Sequence, residues 1–178
     1  MAQPVLVVTD VQERLFGAMD AERRDEMVRH LKILLTAGRR LGTPIVVTEQ
    51  YPKGLGRTLP ELRVLLDDSA AIEKTCFSAC GAEGFIERLS SHAAEPVILT
   101  GVEAHVCVLL TPLDLLAKGF RVSIVPDGVC SRRAGTMDIG LEQGRQAGAV
   151  ITSTETVVFQ LLGRSDTDAF REVSKLIR

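Results

Sequence analysis

Six short apolar runs recur along the chain, and longer segments of mixed polarity separate them. The runs are Val5–Val8, Ile45–Thr48, Ala70–Ile72, Val97–Thr100, Val122–Val125 and Ala149–Ile151. Most of them are continuously apolar and do not alternate with polar residues, which is typical of strands that are covered on both faces. The pattern therefore predicts a parallel sheet that lies between two layers of helices.

The segments between the runs carry apolar residues at helical spacing. Asp20 is a candidate N-cap and Gly42 to Pro44 form a stop, which together predict a long helix between the first two strands. Further helices are predicted over Glu83–Ser91, Val106–Lys118, Met137–Ala147, Val157–Leu162 and Asp168–Ile177. Parallel strands need right-handed helical crossovers, so the alternation favours the α/β class. We expect a three-layer α/β/α sandwich with a mostly parallel, doubly wound sheet of about six strands, built by residues 1–178 as a single domain.

One segment, Glu49–Pro60, interrupts the alternation. Its sequence, EQYPKGLGRTLP, holds two prolines, two glycines and a tyrosine, and predicts a long ordered loop. It leaves the carboxyl end of the second strand, which is the edge where open α/β sheets hold their ligands. Loops of this length often serve a function or form an interface. Together with the apolar stretches near the C-terminus, residues 51–62 lead us to expect a homo-oligomer.

Composition excludes several classes of partner. The 178 residues include 21 Lys and Arg against 23 Asp and Glu, so the net charge of -2 offers no footprint for nucleic acid or an anionic membrane. No apolar run approaches the ~20 residues of a membrane span, and no signal peptide is recognisable. The four cysteines fit free thiols in a reducing cytoplasm. We therefore expect a cytoplasmic protein whose partner is a small molecule.

The sequence contains no recognisable cofactor motif. The segment GLGRTL has the first two glycines of a dinucleotide fingerprint, but its third position is Leu59 and it follows the second strand. Neither a phosphate-binding GxxxxGK[ST] pattern nor a GxSxG nucleophile elbow occurs. Cys76 and Cys80 are interpreted as packing residues, because no second pair with metal-ligand spacing accompanies them. We expect no cofactor.

Three reactive side chains fall where predicted strands end. Asp10 ends the first strand, Lys74 ends the third, and Cys107 follows the fourth at a turn into a helix. If these strands are near neighbours where the strand order reverses, the three side chains converge on one cleft. The helix N-terminus and the ammonium would then lower the pKa of the thiol. The carboxylate could carry a proton between the thiol and a leaving amine, while amides of the Gly101–Cys107 turn could stabilise an oxyanion. These residue types indicate acyl transfer through a covalent thioester.

Each of these residues also fits a structural role. Asp10 could cap a turn, Lys74 could be a solvated residue at a strand end, and Cys107 could be a buried packing residue. His105 could act as a base or be a satisfied surface group.

Several segments of the chain resemble the isochorismatase-like cysteine hydrolase superfamily, and above all its isochorismatase domain-containing proteins. The matching segments are VLVVTDVQERL (Val5–Leu15), PIVVTEQYPKGLGRTLPEL (Pro44–Leu62), EKTCFSAC (Glu73–Cys80), VILTGVEAHVCV (Val97–Val108), DGVCSRR (Asp127–Arg133) and GAVITSTETVVFQLLG (Gly148–Gly163). The resemblance implies an Asp/Lys/Cys catalytic triad, which maps onto Asp10, Lys74 and Cys107. It also implies a non-proline cis peptide between Val102 and Glu103, with the amides of Glu103 and Cys107 as the oxyanion hole.

The sequence departs from this superfamily in two places. Nicotinamidases of the superfamily bind a metal through an Asp-x-His pattern and a further His after the second strand. The corresponding stretch here, TEQYPKGLG, contains neither residue type, so we expect no such metal site. In addition, Pro112 lies one turn into the helix that Cys107 should open, and we expect it to kink or restart that helix.

These observations predict a cysteine hydrolase that cleaves a C–N bond of a small amide, imide or ureido compound. Phe16 and Gln50, together with residues 51–60, are predicted to line the substrate pocket. The alternative hypothesis is a binding or scaffold protein that retains the fold and the site without hydrolysis. A third hypothesis is thiol redox chemistry through Cys76 and Cys80.

Overall fold

A computed structural model describes residues 3–66, 71–92 and 95–177 of the chain. These residues form a parallel six-stranded sheet in the order β3-β2-β1-β4-β5-β6. The strands are β1 (Val5–Thr9), β2 (Ile45–Gln50), β3 (Ile72–Lys74), β4 (Val97–Val102), β5 (Val122–Cys130) and β6 (Val150–Ile151). The α/β class and the number of strands are confirmed, although Ala70, where we began the third strand, lies outside the described residues. That residues 1–178 form a single domain stays a prediction.

Nine helices accompany the strands within the described residues. They are α1 (Glu13–Gly17), α2 (Ala21–Leu41), α3 (Pro52–Leu55), α4 (Pro60–Arg63), α5 (Phe85–Ser91), α6 (Cys107–Ala117), α7 (Ala134–Gln146), α8 (Thr154–Leu162) and α9 (Asp168–Val173). The predicted ends of α2 are confirmed. The Asp20 side chain accepts a hydrogen bond from the Arg23 amide, and Gly42 ends the helix with a left-handed φ of 69°.

The predicted long loop is partly wrong. Strand β2 extends through Gln50, and the short helices α3 and α4 follow within and after the segment. Both helices begin on a proline, whose fixed φ suits the first helical position and whose missing N–H is not needed there. The buried Glu49 carboxylate ties the segment back to the sheet, because it accepts hydrogen bonds from the Thr58 amide at 2.7 Å and from Arg57 at 2.8 Å.

Two helical layers cover the two faces of the sheet. On one face, Val5 and Val7 of β1 belong to a core that includes residues of α5, α6 and α7. On the other face, Leu6 and Val8 join cores that contain residues of α2 and α8. Every residue of β1 is buried, which explains the uninterrupted apolar run Val5–Val8 within it.

The strand order reverses between β1 and β4, which are hydrogen-bonded neighbours. Close approach of these strands requires glycine at position 101, since a β-carbon there would lie 2.1 Å from the Thr9 carbonyl oxygen. Gly101 also has a φ of 106°, a conformation that residues with a side chain rarely adopt. The crevice at the carboxyl ends of β1 and β4 is where open α/β sheets bind ligands.

Within the described ranges, none of the helices has the length and apolar character that crossing a bilayer requires.

Candidate active site

Asp10 stands directly after β1, in the left-handed region with a φ of 54°. Few residues with a side chain adopt this conformation, but aspartate tolerates it better than most. The residue is completely buried, and its Oδ1 accepts a hydrogen bond of 2.7 Å from the Thr48 hydroxyl. Its amide also donates to the Thr48 carbonyl, at 3.1 Å. Strand β2 thus fixes both the backbone and the carboxylate of Asp10.

Lys74 reaches this carboxylate from a strand that is not adjacent to β1. Our expectation that the three strands are near neighbours holds for β1 and β4 only, because β2 lies between β1 and β3. The long lysine side chain spans the gap, and its Nζ lies 2.7 Å from Asp10 Oδ2 and 3.5 Å from Cys107 Sγ. The side chains of Lys74 and Asp10 are both fully buried, so the interpretation of Lys74 as a solvated residue is wrong.

Further acceptors hold the ammonium in place. Lys74 Nζ donates to Gln50 Oε1 at 2.6 Å and to the carbonyl oxygens of Cys76 and Phe77, each at 3.2 Å. The other end of the Gln50 amide donates to the Thr75 carbonyl at 2.9 Å. Both polar atoms of Gln50 therefore support Lys74 and the segment after β3.

Phe16, the other residue predicted to bind substrate, contacts residues of helix α2. The guanidinium of Arg24 lies 5.0 Å from the centre of its ring. The ring also lines a surface groove along α2, together with residues such as Val28 and Lys32. Contact of substrate with Phe16 or Gln50 stays a prediction.

Cys107 is the first residue of α6, and the helix continues through Pro112 to Ala117. Our expectation that Pro112 would restart the helix is wrong. The Thr111 hydroxyl donates to the Cys107 carbonyl at 2.7 Å, which supplies a side-chain bond within this turn. Because the first N–H groups of a helix have no partner inside it, the Cys107 amide is a candidate donor to a ligand.

The environment raises the pKa of the Cys107 thiol to about 12, so the prediction of a lowered pKa is wrong. Burial is the largest cause, and the negative charge of Asp10 adds to it. The Lys74 ammonium acts in the opposite direction but does not outweigh them. The resting site therefore contains a protonated thiol beside a carboxylate–ammonium pair. Burial also raises the pKa of the Cys80 and Cys130 thiols.

The Val102–Glu103 peptide bond is cis. Directly after it, the buried Glu103 carboxylate accepts hydrogen bonds from the Arg132 amide at 3.1 Å and from Arg132 Nε at 3.0 Å. His105 Nδ1 lies 3.0 Å from the Ser131 hydroxyl, which fits the satisfied side chain that was one of its two predicted roles. The sequence reasoning missed the roles of Ser131 and Arg132 here. The signal that could have identified them is their position directly after the predicted fifth strand, because the carboxyl ends of parallel strands meet at the same edge of the sheet.

The remaining cysteines have structural contacts. The Cys80 thiol lies 3.8 Å from the Thr111 carbonyl oxygen, and Cys76 packs against the core. In the part of the chain that the structure describes, no three or more His, Cys, Asp or Glu residues group as metal ligands would.

A parallel α/β/α sandwich with a buried cysteine, aspartate and lysine beside its strand reversal has the architecture of the isochorismatase-like hydrolases. Residues 4–156 match the isochorismatase domain, and the chain belongs to this family.

Individual relatives cover most of the chain. It is 38% identical over 173 residues to isochorismatase domain-containing protein 2 of Xenopus laevis, and the match covers 97% of this chain and 82% of the relative. It is also 38% identical over 180 residues to the secreted isochorismatase effector Isc1 of Phytophthora sojae, covering 98% and 84% of the two chains. A solved structure, described as the MAR1 ribonuclease of Caenorhabditis elegans, is 40% identical with a TM-score of 0.91 and covers 99% and 90%.

Proposed function

We propose that this protein is a cysteine hydrolase that cleaves a C–N bond of a small amide, imide or ureido compound. The observation that carries the proposal is the placement of one buried ammonium, Lys74, within 2.7 Å of the Asp10 carboxylate and 3.5 Å of the Cys107 sulfur. A buried charge is costly unless it is paired, and a chain that buries both charges against a thiol has assembled groups suited to nucleophilic catalysis.

In the first half of the proposed reaction, Cys107 Sγ attacks the carbonyl carbon of the substrate. As the S–C bond forms, the thiol proton passes to the Asp10 carboxylate, whose nearby negative charge raises the pKa of this thiol in the resting site. The carbonyl electrons move to oxygen and form a tetrahedral oxyanion. Asp10 then gives its proton to the substrate nitrogen, the C–N bond breaks, and an acyl-thioester remains on Cys107.

In the second half, water attacks the thioester carbon. Asp10 takes a proton from the water, the C–S bond breaks, and the proton returns to the departing Cys107 thiolate. The acid product leaves, and the site regains its thiol and its carboxylate. Asp10 thus acts alternately as base and acid.

Lys74 has an electrostatic role in this proposal. Its positive charge lowers the pKa of the Cys107 thiol, although the ground-state thiol keeps its proton. When negative charge develops on sulfur during the attack, the fixed ammonium stabilises it without reorganisation. The acceptors Gln50, Cys76 and Phe77 keep the ammonium in this position.

The amides of Glu103 and Cys107 form the proposed oxyanion hole. The positions of the two residues support this assignment: Glu103 directly follows β4 and Cys107 begins α6, so both amides belong to the turn that carries the nucleophile. Donors that are fixed before the reaction are the most effective stabilisers of a developing oxyanion.

The proposal is tested with a panel of small primary amides, cyclic imides and ureido acids, with ammonia release and intact-protein mass as readouts. We expect turnover of at least one class and an added acyl mass that maps to Cys107. Cys107→Ala should abolish both, whereas the matched control Cys76→Ala should retain both. Turnover that survives in Cys107→Ala would overturn the proposal, and tight binding of a panel compound without product would favour the non-hydrolytic hypothesis. We also expect full activity after exhaustive chelation of metals.

Ribonuclease activity is a second candidate, because the 40% identical Caenorhabditis elegans structure is described as a ribonuclease. The net charge of -2 gives this chain no general attraction for a polyanion. Incubation of the wild type and Cys107→Ala with labelled single-stranded RNA separates the candidates. Cleavage by the wild type alone would move the proposed substrate from amides to RNA.

A further inference from the structure

A cavity of about 350 Å³ lies next to the turn that carries the proposed nucleophile. Its lining consists of Glu103, His105, Arg132, Arg133 and Thr136. The first two residues precede Cys107 in the turn after β4, and the other three surround the start of α7. The cavity therefore lies at the carboxyl edge of the sheet, between the ends of β4 and β5.

The walls of this cavity are held firmly. Helix α7 packs directly on the turn after β4, since a β-carbon at Gly140 would lie 2.7 Å from the Ala104 carbonyl oxygen. The 3.0 Å contact of His105 with Ser131 joins this turn to the residue that directly follows β5. The shape of the cavity is thus set by backbone contact and by a half-buried polar pair.

The charges of the lining favour an anion. The Glu103 carboxylate is neutralised by Arg132, since it accepts hydrogen bonds from the amide and the Nε of that residue. The two Nη atoms of Arg132 have no partner among the described residues. The Arg133 side chain is exposed, and its guanidinium makes no hydrogen bond or ion pair with any residue that the structure describes. The acidic side chain of Glu103 and the basic side chains of Arg132 and Arg133 sum to a net charge of +1.

Helix α7 adds donors to this positive surface. Arg133 is its N-cap residue, and the cap makes no side-chain hydrogen bond to the first turn. The Thr136 hydroxyl donates its proton to the Arg133 carbonyl at 2.8 Å. The N–H groups in the first turn of a helix have no partner within the helix, and together with the helix dipole they favour negative charge at this point.

We propose that this cavity binds the carboxylate or phosphate group of a small molecule, through Arg133, the outer edge of Arg132 and the start of α7. Guanidinium groups match the geometry of both anions and bind them through charge-assisted hydrogen bonds. The volume is at the lower end of small-molecule sites, which suits the anionic end of a small compound.

The anion has two possible sources. It is either the acidic end of the hydrolysed amide, in which case this part of the proposal rests on the proposed function, or a separate small anion that binds beside the substrate. The chemistry of recognition is the same for both.

Binding is measured first, by titration calorimetry of the full chain with inorganic phosphate and with succinate at constant ionic strength. We expect millimolar or tighter binding of at least one anion, and about tenfold weaker binding to Arg133→Gln. Arg63→Gln, which removes an exposed arginine of α4, is the matched control and should bind like the wild type. Absence of binding for both anions, or equal affinities of wild type and Arg133→Gln, would overturn the proposal.

Kinetics then identify the source. If the bound anion is the acidic end of a substrate, phosphate should inhibit hydrolysis competitively. In that case Arg133→Gln should also raise KM for a carboxylated amide about tenfold more than KM for its neutral counterpart. For a separate anion, phosphate should change turnover without competing. If no amide is hydrolysed but phosphate binding still depends on Arg133, the proposed function fails and the anion site stands.

Discussion

At the scale of single residues, the protonation state of the site decides how it can react. The thiol of Cys107 keeps its proton at neutral pH because burial and the Asp10 carboxylate raise its pKa to about 12. A preformed thiolate would place two negative charges in a buried site that holds one cation, Lys74. The neutral thiol avoids this, so the nucleophile forms only when the proton moves to Asp10.

Asp10→Asn should therefore have opposite effects on two rates. Loss of the carboxylate removes a negative charge that raises the pKa of Cys107, so alkylation by iodoacetamide near neutral pH should become several-fold faster. Hydrolysis should fall steeply, because the proton acceptor is lost. Mass mapping after brief labelling gives the first rate, with Cys130 as an internal reference.

Lys74→Met provides the matched comparison. It removes the charge that lowers the pKa of Cys107, so labelling of this thiol should become slower than in the wild type. Faster labelling in Lys74→Met, or slower labelling in Asp10→Asn, would contradict the charge assignment.

The pH dependence of kcat/KM tests the same mechanism. If the reaction required a preformed thiolate, a thiol pKa of about 12 would make kcat/KM rise about tenfold per pH unit through the mildly alkaline range. Proton transfer within the complex predicts instead a rate that is nearly flat over that range. A steady rise of kcat/KM from neutral pH upward, measured with a neutral amide, would show that Asp10 is not the base.

At the scale of elements, one buried threonine connects the two segments that carry Lys74 and Cys107. The Thr111 hydroxyl donates to the Cys107 carbonyl at 2.7 Å and accepts from the Ala79 amide at 2.9 Å. The segment that ends at Ala79 also supplies the carbonyls of Cys76 and Phe77 to the ammonium. Thr111 therefore fixes helix α6 relative to the support of Lys74.

Thr111→Val keeps the shape of the side chain and removes both hydrogen bonds. We expect the free energy of unfolding to fall by about 1–3 kcal/mol, since the buried Ala79 amide loses its acceptor. As a positioning residue, Thr111 should affect kcat more than KM, and Thr111→Ser should restore both kcat and stability. A loss of stability in chemical denaturation with kcat unchanged would limit Thr111 to a structural role.

At the scale of the whole molecule, exposed aromatic residues lie beside the proposed site. Tyr51 and Phe77 are more than half exposed, at 54% and 58%. Both flank Lys74, since the Tyr51 amide donates to its carbonyl and the Phe77 carbonyl accepts from its ammonium. Large exposed apolar side chains in one region are typical of an interaction surface.

We predict that this surface joins copies of the chain into a homo-oligomer. Light scattering at micromolar concentration should give a multiple of the 19.3 kDa chain mass, and the double variant Tyr51→Ser, Phe77→Ser should shift it towards one chain. Val64→Ser, at another exposed apolar position, is the control and should leave the mass unchanged. A wild-type mass of 19.3 kDa would refute the prediction.

Local pattern was sufficient for much of the fold. Continuous apolar runs gave the strands because a strand covered on both faces needs no polar positions, and Asp20 and Gly42 marked the ends of α2 because capping depends on neighbouring residues. The sequence also predicted that Asp10, Lys74 and Cys107 lie at strand ends. The resemblance to a known superfamily implied that the three residues form one site. Cytoplasmic location and substrate contact by Phe16 and Gln50 stay predictions.

Other properties were decided only by the tertiary structure. Lys74 contacts Asp10 across the intervening strand β2, and the pattern of apolar and polar residues along the chain does not predict this order of the strands. The pKa of Cys107 depends on how completely the fold removes water from the site, and here desolvation outweighs the ammonium that suggested the opposite sign. The pairing of Glu103 with Arg132 joins residues 29 positions apart. Sequence pattern reports on neighbours along the chain, whereas burial and charge proximity arise only after distant segments have packed together.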